Sequence, residues 1–159
     1  MEIPHGQPFR GYRLAALGAA LAFAALATVA LPGAADAQAD ATVEVVMMVS
    51  LTSDDEGPID RRARKIDRRL RREFRYRSLK VIASKTERLG IDDTATLALP
   101  NGNTASVMPM SVDETGVLLA VDIEGAVKVD ARAKTGHLLV FGAGRHGDGR
   151  LVVSIEPRF

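Results

Sequence analysis

The stretch PIDRRARKIDRRLRREFRYRSLKVI, residues 58–82, contains the change of hydrophobic period that decides the fold. In residues 59–74 apolar side chains recur at spacings of three and four, which is the repeat of an α-helix with one buried stripe. The stripe consists of Ile59, Ala63, Ile66, Leu70 and Phe74. From residue 79 onward apolar side chains recur every second residue, which is the repeat of β-strands. The sequence therefore predicts one amphipathic helix, near residues 58–76, followed by a β-rich region.

The side of this predicted helix that lies opposite the apolar stripe is basic. Asp60 and Asp67 border the stripe. Each can form an ion pair with the arginine four positions later, Arg64 or Arg71. Pro58 suits the first turn of the helix, because its missing N–H would have no partner there. We take seven side chains on the basic side as candidate anion-binding residues: Arg61, Arg64, Lys65, Arg68, Arg71, Arg72 and Arg75.

Charge is unevenly distributed along the chain. Residues 58–80 carry eleven Arg or Lys side chains and three acidic ones, a local charge of +8. The rest of residues 40–159 carries eight basic and fifteen acidic side chains, a charge of −7. A basic helix face of this kind attracts anionic lipid headgroups, lipopolysaccharide or nucleic acid. The alternative is that this face is only the solvated side of a packed helix, neutralised by the acidic remainder.

Strands are predicted on both sides of the helix. Residues 40–51 have apolar side chains on both faces, which indicates a central strand. Further strands are predicted at residues 79–82, 94–99, 103–112, 117–124, 127–133, 138–141 and 151–155. Several connections are short and rich in residues that tolerate positive φ, so neighbouring strands should be antiparallel. The predicted fold class is α+β: a mostly antiparallel β-sandwich or partly closed barrel, built from a β-meander, with the one amphipathic helix packed on it.

The first 39 residues have the pattern of a secretory signal peptide. Two arginines precede an apolar run at residues 14–31, and the segment ends in Ala-Gln-Ala at 37–39. This order is typical of a leader that is cleaved after an Ala-x-Ala triplet. We therefore expect a single mature domain, residues 40–159, in the periplasm or outside the cell. The alternative is an uncleaved anchor in the inner membrane, since the apolar run is just long enough to span a bilayer.

The composition argues against several kinds of chemistry. The chain has no cysteine, which excludes disulfides, thiolate metal sites and cysteine nucleophiles. It has no tryptophan and few other aromatic residues, so it lacks the usual stacking platform for single-stranded nucleic acid. Neither a Gly-x-Ser-x-Gly nor a Ser-x-x-Lys motif is present. We expect a protein that is not an enzyme and that needs neither a cofactor nor a metal.

The glycine-rich segment 142–149 resembles a phosphate-binding loop only superficially. It lacks a Gly-Lys-Ser or Gly-Lys-Thr ending, and a strand follows it where a helix would be needed, so a hairpin loop is the better interpretation. Arg145 and His146 in this loop could contact an anionic ligand. His137 and His146 lack the close spacing of a zinc site.

Several turn and core motifs resemble a group of small exported bacterial proteins of unknown function. The resemblance rests on Ile59-Asp60 at the helix onset, Phe74-x-Tyr76 at its end, Leu97-x-Leu99-Pro100-Asn101-Gly102, and the Gly-rich loop before Leu151-Val152-Val153-Ser154-Ile155. It implies export and the order strand, helix, β-meander. It implies no catalytic residue.

Two functions from different classes follow from these observations. The first is a non-enzymatic exported domain that acts by binding another protein of an envelope or secretion assembly. The second is an anion-binding module that uses the arginine-rich helix, with anionic lipid, lipopolysaccharide or nucleic acid as the ligand. The sequence identifies no small-molecule substrate.

Overall fold

A computed structural model describes residues 41–72 and 75–159 of the chain. The predicted signal peptide, residues 1–39, and the helix-stripe residue Phe74 lie outside the described residues. In the described part of the chain, no helix is long and apolar enough to cross a membrane.

Two four-stranded antiparallel sheets form the body of the fold. The first sheet contains β1 (Val43–Ser53), β2 (Ser78–Leu89), β7 (Leu139–His146) and β8 (Gly149–Arg158), in the order β2-β1-β8-β7. The second contains β3 (Ala95–Ala98), β4 (Thr104–Asp113), β5 (Gly116–Ile123) and β6 (Val127–Ala133), in chain order. The predicted α+β sandwich is confirmed, and the described strands do not close into a barrel.

The main core fills the space between the two sheets. Alternate residues of each strand point into this space, as the two-residue period predicts. The largest fully buried side chains there include Met47, Leu119, Ile123, Leu151 and Ile155. These are branched aliphatic side chains and one thioether, as expected for a chain with few aromatic residues.

β1 lies in the middle of the first sheet, between β2 and β8, as its two apolar faces predict. One face is buried in the main core, where Val45 and Met47 are 1% exposed. The other face contributes Met48 to a second apolar cluster on the outer side of the same sheet. The strand therefore contacts an apolar layer on each side.

The helix is shorter than predicted. A 3-10 turn (Arg61–Ala63) leads into α1 (Arg64–Leu70), so the helical segment covers 61–70 and ends before residue 76. At about 1.5 Å per residue this is roughly 15 Å of helix. Tyr76 belongs to the segment that returns to β2, and its hydroxyl contacts Asp67 of α1.

Asp60 begins the helical segment, and Pro58 does not lie in its first turn, contrary to prediction. The side chain of Asp60 caps the helix by accepting a 2.9 Å hydrogen bond from the N–H of Arg62. The carbonyl of Pro58 accepts a hydrogen bond from the N–H of Leu79, and Ile59 forms a parallel bridge with the same residue. This short pairing holds residues 58–60 extended beside β2.

α1 packs on the outer face of the first sheet, so the fold has three layers. The stripe residues Ala63, Ile66 and Leu70 are buried and Ile59 is half-buried. Their partners form the second apolar cluster, which includes Tyr76, Leu79, Val81, Val140 and Val152.

The strands after the helix differ from the predicted simple meander. Only β3 to β6 form a meander, because β2 pairs with β1 and the β7–β8 hairpin returns to the first sheet. β2 continues to Leu89, beyond the predicted strand at 79–82. The hairpin at 142–149 is confirmed, but most of its predicted loop is strand. β7 reaches His146, and the ladder is irregular between Gly142 and Arg145, where glycine permits a bulge.

Candidate anion-binding site

A cavity of about 370 Å³ opens between the end of α1 and the β7–β8 hairpin. Its floor includes Leu70, Val140 and Val152, which belong to the second apolar cluster beneath the helix. Four arginines also line it, and none of the described acidic side chains does. Among the described residues the lining consists of Thr52, Arg69, Leu70, Arg75, Val140, Phe141, Gly142, Gly144, Arg145, Arg150, Leu151 and Val152. The cavity thus combines an apolar floor with a strongly basic wall.

Two of the four arginines are directly opposite each other in the sheet. Arg145 of β7 and Arg150 of β8 are register partners in the antiparallel ladder. Like charges at directly opposed positions destabilise a sheet. Within the described residues neither side chain forms an ion pair that would offset this repulsion. A bound anion would relieve it.

The alternation of β8 places Arg150 at the cavity. Arg150 and Val152 share one face of the strand, and Val152 lies beneath the helix. Arg150 lines the cavity together with Leu70, the last residue of α1. Thr52 of β1 donates a 3.2 Å hydrogen bond to the carbonyl of Arg150, which holds this part of the strand in place.

The irregular part of β7 is held from the second sheet. Asn101 donates a 3.1 Å hydrogen bond through its side-chain amide to the carbonyl of Ala143. Gly144 follows with a φ of 87°, in the left-handed region that favours glycine. This bend comes directly before Arg145 and sets the direction of that residue at the cavity.

A smaller cavity, of about 30 Å³, adjoins the first and brings acidic groups near the arginines. It is lined by Arg75, Arg145 and Arg150 together with Asp54 and Asp148. Within the described residues neither aspartate forms an ion pair with these arginines. In the described part of the chain, four arginines and two aspartates therefore leave an excess of two positive charges at the paired cavities.

The seven predicted anion-binding residues do not form one site. Only Arg75 lines the basic cavity. Arg61, Arg64, Arg68 and Arg72 are exposed to solvent and form no ion pair among the described residues. Arg71 pairs with Asp67 as predicted, through Nε and Oδ1 at 2.9 Å. The predicted pair of Asp60 and Arg64 is wrong, because Asp60 pairs with Arg62.

Lys65, the seventh predicted residue, is bound to the first sheet. Its ammonium is 2.6 Å from the carboxylate of Glu156 on β8 and donates a hydrogen bond to the carbonyl of Gly136. Glu156 also pairs with Arg158, which in turn pairs with Glu44 of β1. Burial raises the pKa of Glu156, but the hydrogen bonds and charges of Lys65 and Arg158 outweigh burial and the pKa lies below its ordinary value. Lys65 therefore attaches the helix to the sheet.

Two arginines of the cavity, Arg69 and Arg150, were not predicted as site residues. Arg69 precedes the stripe residue Leu70 and, with Arg68, also offsets the partial negative charge at the end of α1. Arg150 could have been found from the hairpin, since a tight turn at 147–148 places it opposite Arg145. Arg145, considered as a possible anion contact within the glycine-rich segment, does line the cavity.

The described residues contain no group of three or more His, Asp or Glu side chains placed to hold a metal ion. Comparison of the sequence with protein-family models, with curated proteins and with solved structures found no match. The resemblance to small exported bacterial proteins stays a prediction.

Proposed function

We propose that this protein is a binding domain for small anionic ligands and that its site is the basic cavity. The observation that carries the proposal is the placement of Arg69, Arg75, Arg145 and Arg150 around one cavity without an ion-paired carboxylate among the described residues. Guanidinium groups stay charged at all physiological pH values and bind carboxylate or phosphate oxygens with paired N–H donors. The anion-binding site is thus assigned to the end of α1 and not to its exposed face.

Shape supports the cavity over the helix face. Ligand sites in proteins are usually concave, and the basic cavity is more enclosed than the depression beside Arg64 and Arg68 on the helix. The arginines of both regions are exposed, but those of the cavity line one concave space, whereas those of the helix face are spread along the helix. Lys65 and Arg71 of that face already have carboxylate partners.

Calorimetric titration with inorganic phosphate at low ionic strength tests the proposal. We expect the double variant Arg145→Gln, Arg150→Gln to lose at least about tenfold in affinity, because both removed charges line the cavity. The matched control is Arg61→Gln, Arg64→Gln, which removes two exposed helix charges. Equal losses in the two double variants, or a wild-type domain that ignores phosphate, would contradict the proposal.

We further propose that the domain acts outside the cytoplasm, as the signal-peptide pattern of residues 1–39 predicts. The supporting features are the apolar run at 14–31 and the Ala-Gln-Ala sequence at 37–39. Intact-mass measurement of the protein recovered from the periplasm or the medium should give a chain that begins at or near Asp40. A membrane-bound chain that retains Met1 would support the uncleaved anchor.

Docking of another protein, such as an envelope or secretion component, is a second candidate function. It is favoured by the outer face of the second sheet, where Met108, Leu118 and Ala120 are half-buried and no other described element covers them. Met110, at a bulge of β4 beside this face, is 37% exposed. Leu118→Asp should abolish capture of a partner without changing phosphate affinity, and unchanged capture would contradict this candidate.

A further inference from the structure

We infer that the ligand of the basic cavity is an amphiphile: a phosphate monoester that carries a single short alkyl chain. The inference rests on the proposed function and names its ligand class. The phosphate would lie among the arginines and the chain would lie on the apolar floor. Three properties of the cavity carry the inference: its charge, its floor and its volume.

The charge of the site selects a dianion. Among the described residues, two aspartates beside four arginines leave an excess of two positive charges. A phosphate monoester carries about −1.5 to −2 charges at pH 7 and offers three acceptor oxygens. A carboxylate carries one charge and two oxygens, so it neutralises only half of the excess.

The apolar floor of the cavity favours a phosphate ester whose substituent is apolar. Leu70, Val140 and Val152 line the cavity and also belong to the cluster beneath the helix. Their side chains offer no hydrogen-bond partner to a sugar or to a peptide group. Burial of a polar substituent there would be unfavourable, whereas burial of a methylene group is favourable.

The volume limits the length of the chain. At roughly 30 Å³ per small group, as for water, 370 Å³ holds about twelve non-hydrogen atoms. A phosphate group takes five of these positions, which leaves space for an alkyl chain of about seven carbons. Two long acyl chains of a membrane lipid would not fit.

A series of alkyl phosphates from methyl to decyl, titrated by calorimetry below the micelle concentration, tests the inference. We expect affinity to rise about fourfold for each added methylene and to level off near seven carbons, because the cavity is then full. If inorganic phosphate and all alkyl phosphates bind equally, the inference fails while the proposed function stands. If neither inorganic phosphate nor any ester binds, the proposed function itself fails.

Two further experiments distinguish the contribution of the apolar floor to binding from the contribution of the arginines. Val140→Thr keeps the shape of a β-branched side chain and adds a hydroxyl to the floor. It should lower the ratio of the affinity for heptyl phosphate to the affinity for inorganic phosphate severalfold, and an unchanged ratio would contradict the inference. Vesicles that contain phosphatidic acid should show no binding that depends on Arg145. Such binding, in place of binding to heptyl phosphate, would overturn the inference in favour of a membrane lipid.

Discussion

The hydroxyl of Tyr76 donates a 2.8 Å hydrogen bond to Oδ1 of Asp67. Asp67 lies in α1, whereas Tyr76 lies in the segment that connects the helix to β2. The same carboxylate accepts a 2.9 Å hydrogen bond from Nε of Arg71, whose guanidinium lies 5.3 Å from the centre of the tyrosine ring. These three side chains fix the exit of the chain from the helix. Burial, followed by the bond to Asp67, raises the pKa of Tyr76 well above its ordinary value.

Replacement of this hydroxyl should weaken the attachment of the helix. Tyr76→Phe removes the bond to Asp67 but keeps the ring, which is only 8% exposed. We expect the free energy of unfolding, measured in urea, to fall by about 1 kcal/mol. Tyr76→Leu also removes the ring contact with Arg71 and should cost more. Identical losses for the two variants would mean that the ring contact adds nothing, and an unchanged stability in Tyr76→Phe would mean that the hydroxyl contributes nothing.

Leu70 of α1 should be sensitive to truncation. Its side chain is 2% exposed and packs in the second apolar cluster. Leu70→Ala should lower the free energy of unfolding by about 2–5 kcal/mol, because it leaves a cavity in a packed layer. Arg68→Ala, on the exposed side of the same helix, should change it by less than about 0.5 kcal/mol. Comparable effects of the two substitutions would show that α1 is not docked on the sheet in solution.

The hydroxyl of Ser50 is buried without a hydrogen-bond partner among the described residues. Ser50 is fully buried, and its register partners Val81 and Val152 are both apolar. Ser50→Ala should raise the free energy of unfolding by about 1 kcal/mol, because it removes an unsatisfied polar group. The control is Thr52→Val, which breaks the bond to the carbonyl of Arg150 and should lower stability by a similar amount. A clear loss of stability in Ser50→Ala would contradict this expectation.

Acid should destabilise the domain between about pH 4 and pH 2. Hydrogen bonds from the side chain and N–H of Arg62 lower the pKa of Asp60 to about 2. Hydrogen bonds from Thr115 and then Arg132 lower the pKa of Asp113 to about 2. A folded-state pKa below the unfolded value of about 4 gives stability that is present above pH 4 and is lost as the pH falls toward 2.

Urea unfolding at pH 7, 4, 3 and 2 measures this loss. The asparagine of Asp113→Asn cannot ionise. The variant should therefore be less stable than the wild type at pH 7, and its free energy of unfolding should fall less on acidification. The matched control is Asp130→Asn, at an exposed position of β6 where the structure shows no ion pair among the described residues. An acid dependence in Asp113→Asn as steep as in the wild type would contradict the assignment.

The fold class could be predicted because it depends on local period. The two-sided apolar pattern of residues 40–51 predicted a central strand, and β6 has the predicted bounds of 127–133. The length of the helix could not be predicted, because arginine favours helix and the basic pattern continues past Leu70. Contacts between Tyr76 and Asp67 turn the chain away from the helix, and such contacts leave no periodic signal.

The basic cavity could be predicted only in part, because it joins distant parts of the chain. Arg75 and Arg145 are separated by about seventy residues of sequence, and they meet only because the β7–β8 hairpin returns beside β1. A sequence pattern can place charges on one element, as it did for the helix face. It cannot show that β8 pairs with β1, and that pairing brings the hairpin arginines to the end of α1.

The place of β8 beside β1 also sets the earliest moment at which the domain can complete its folding. Glu44 of β1 and Arg158 of β8 are 114 residues apart in sequence and form an ion pair across the middle of the first sheet. Contacts between such distant residues slow folding. A nascent chain that has not yet reached residue 158 has no complete partner for β1 on this side, so that strand keeps an open edge. The first sheet therefore cannot be completed until the residues of β8, Gly149–Arg158, have been synthesised.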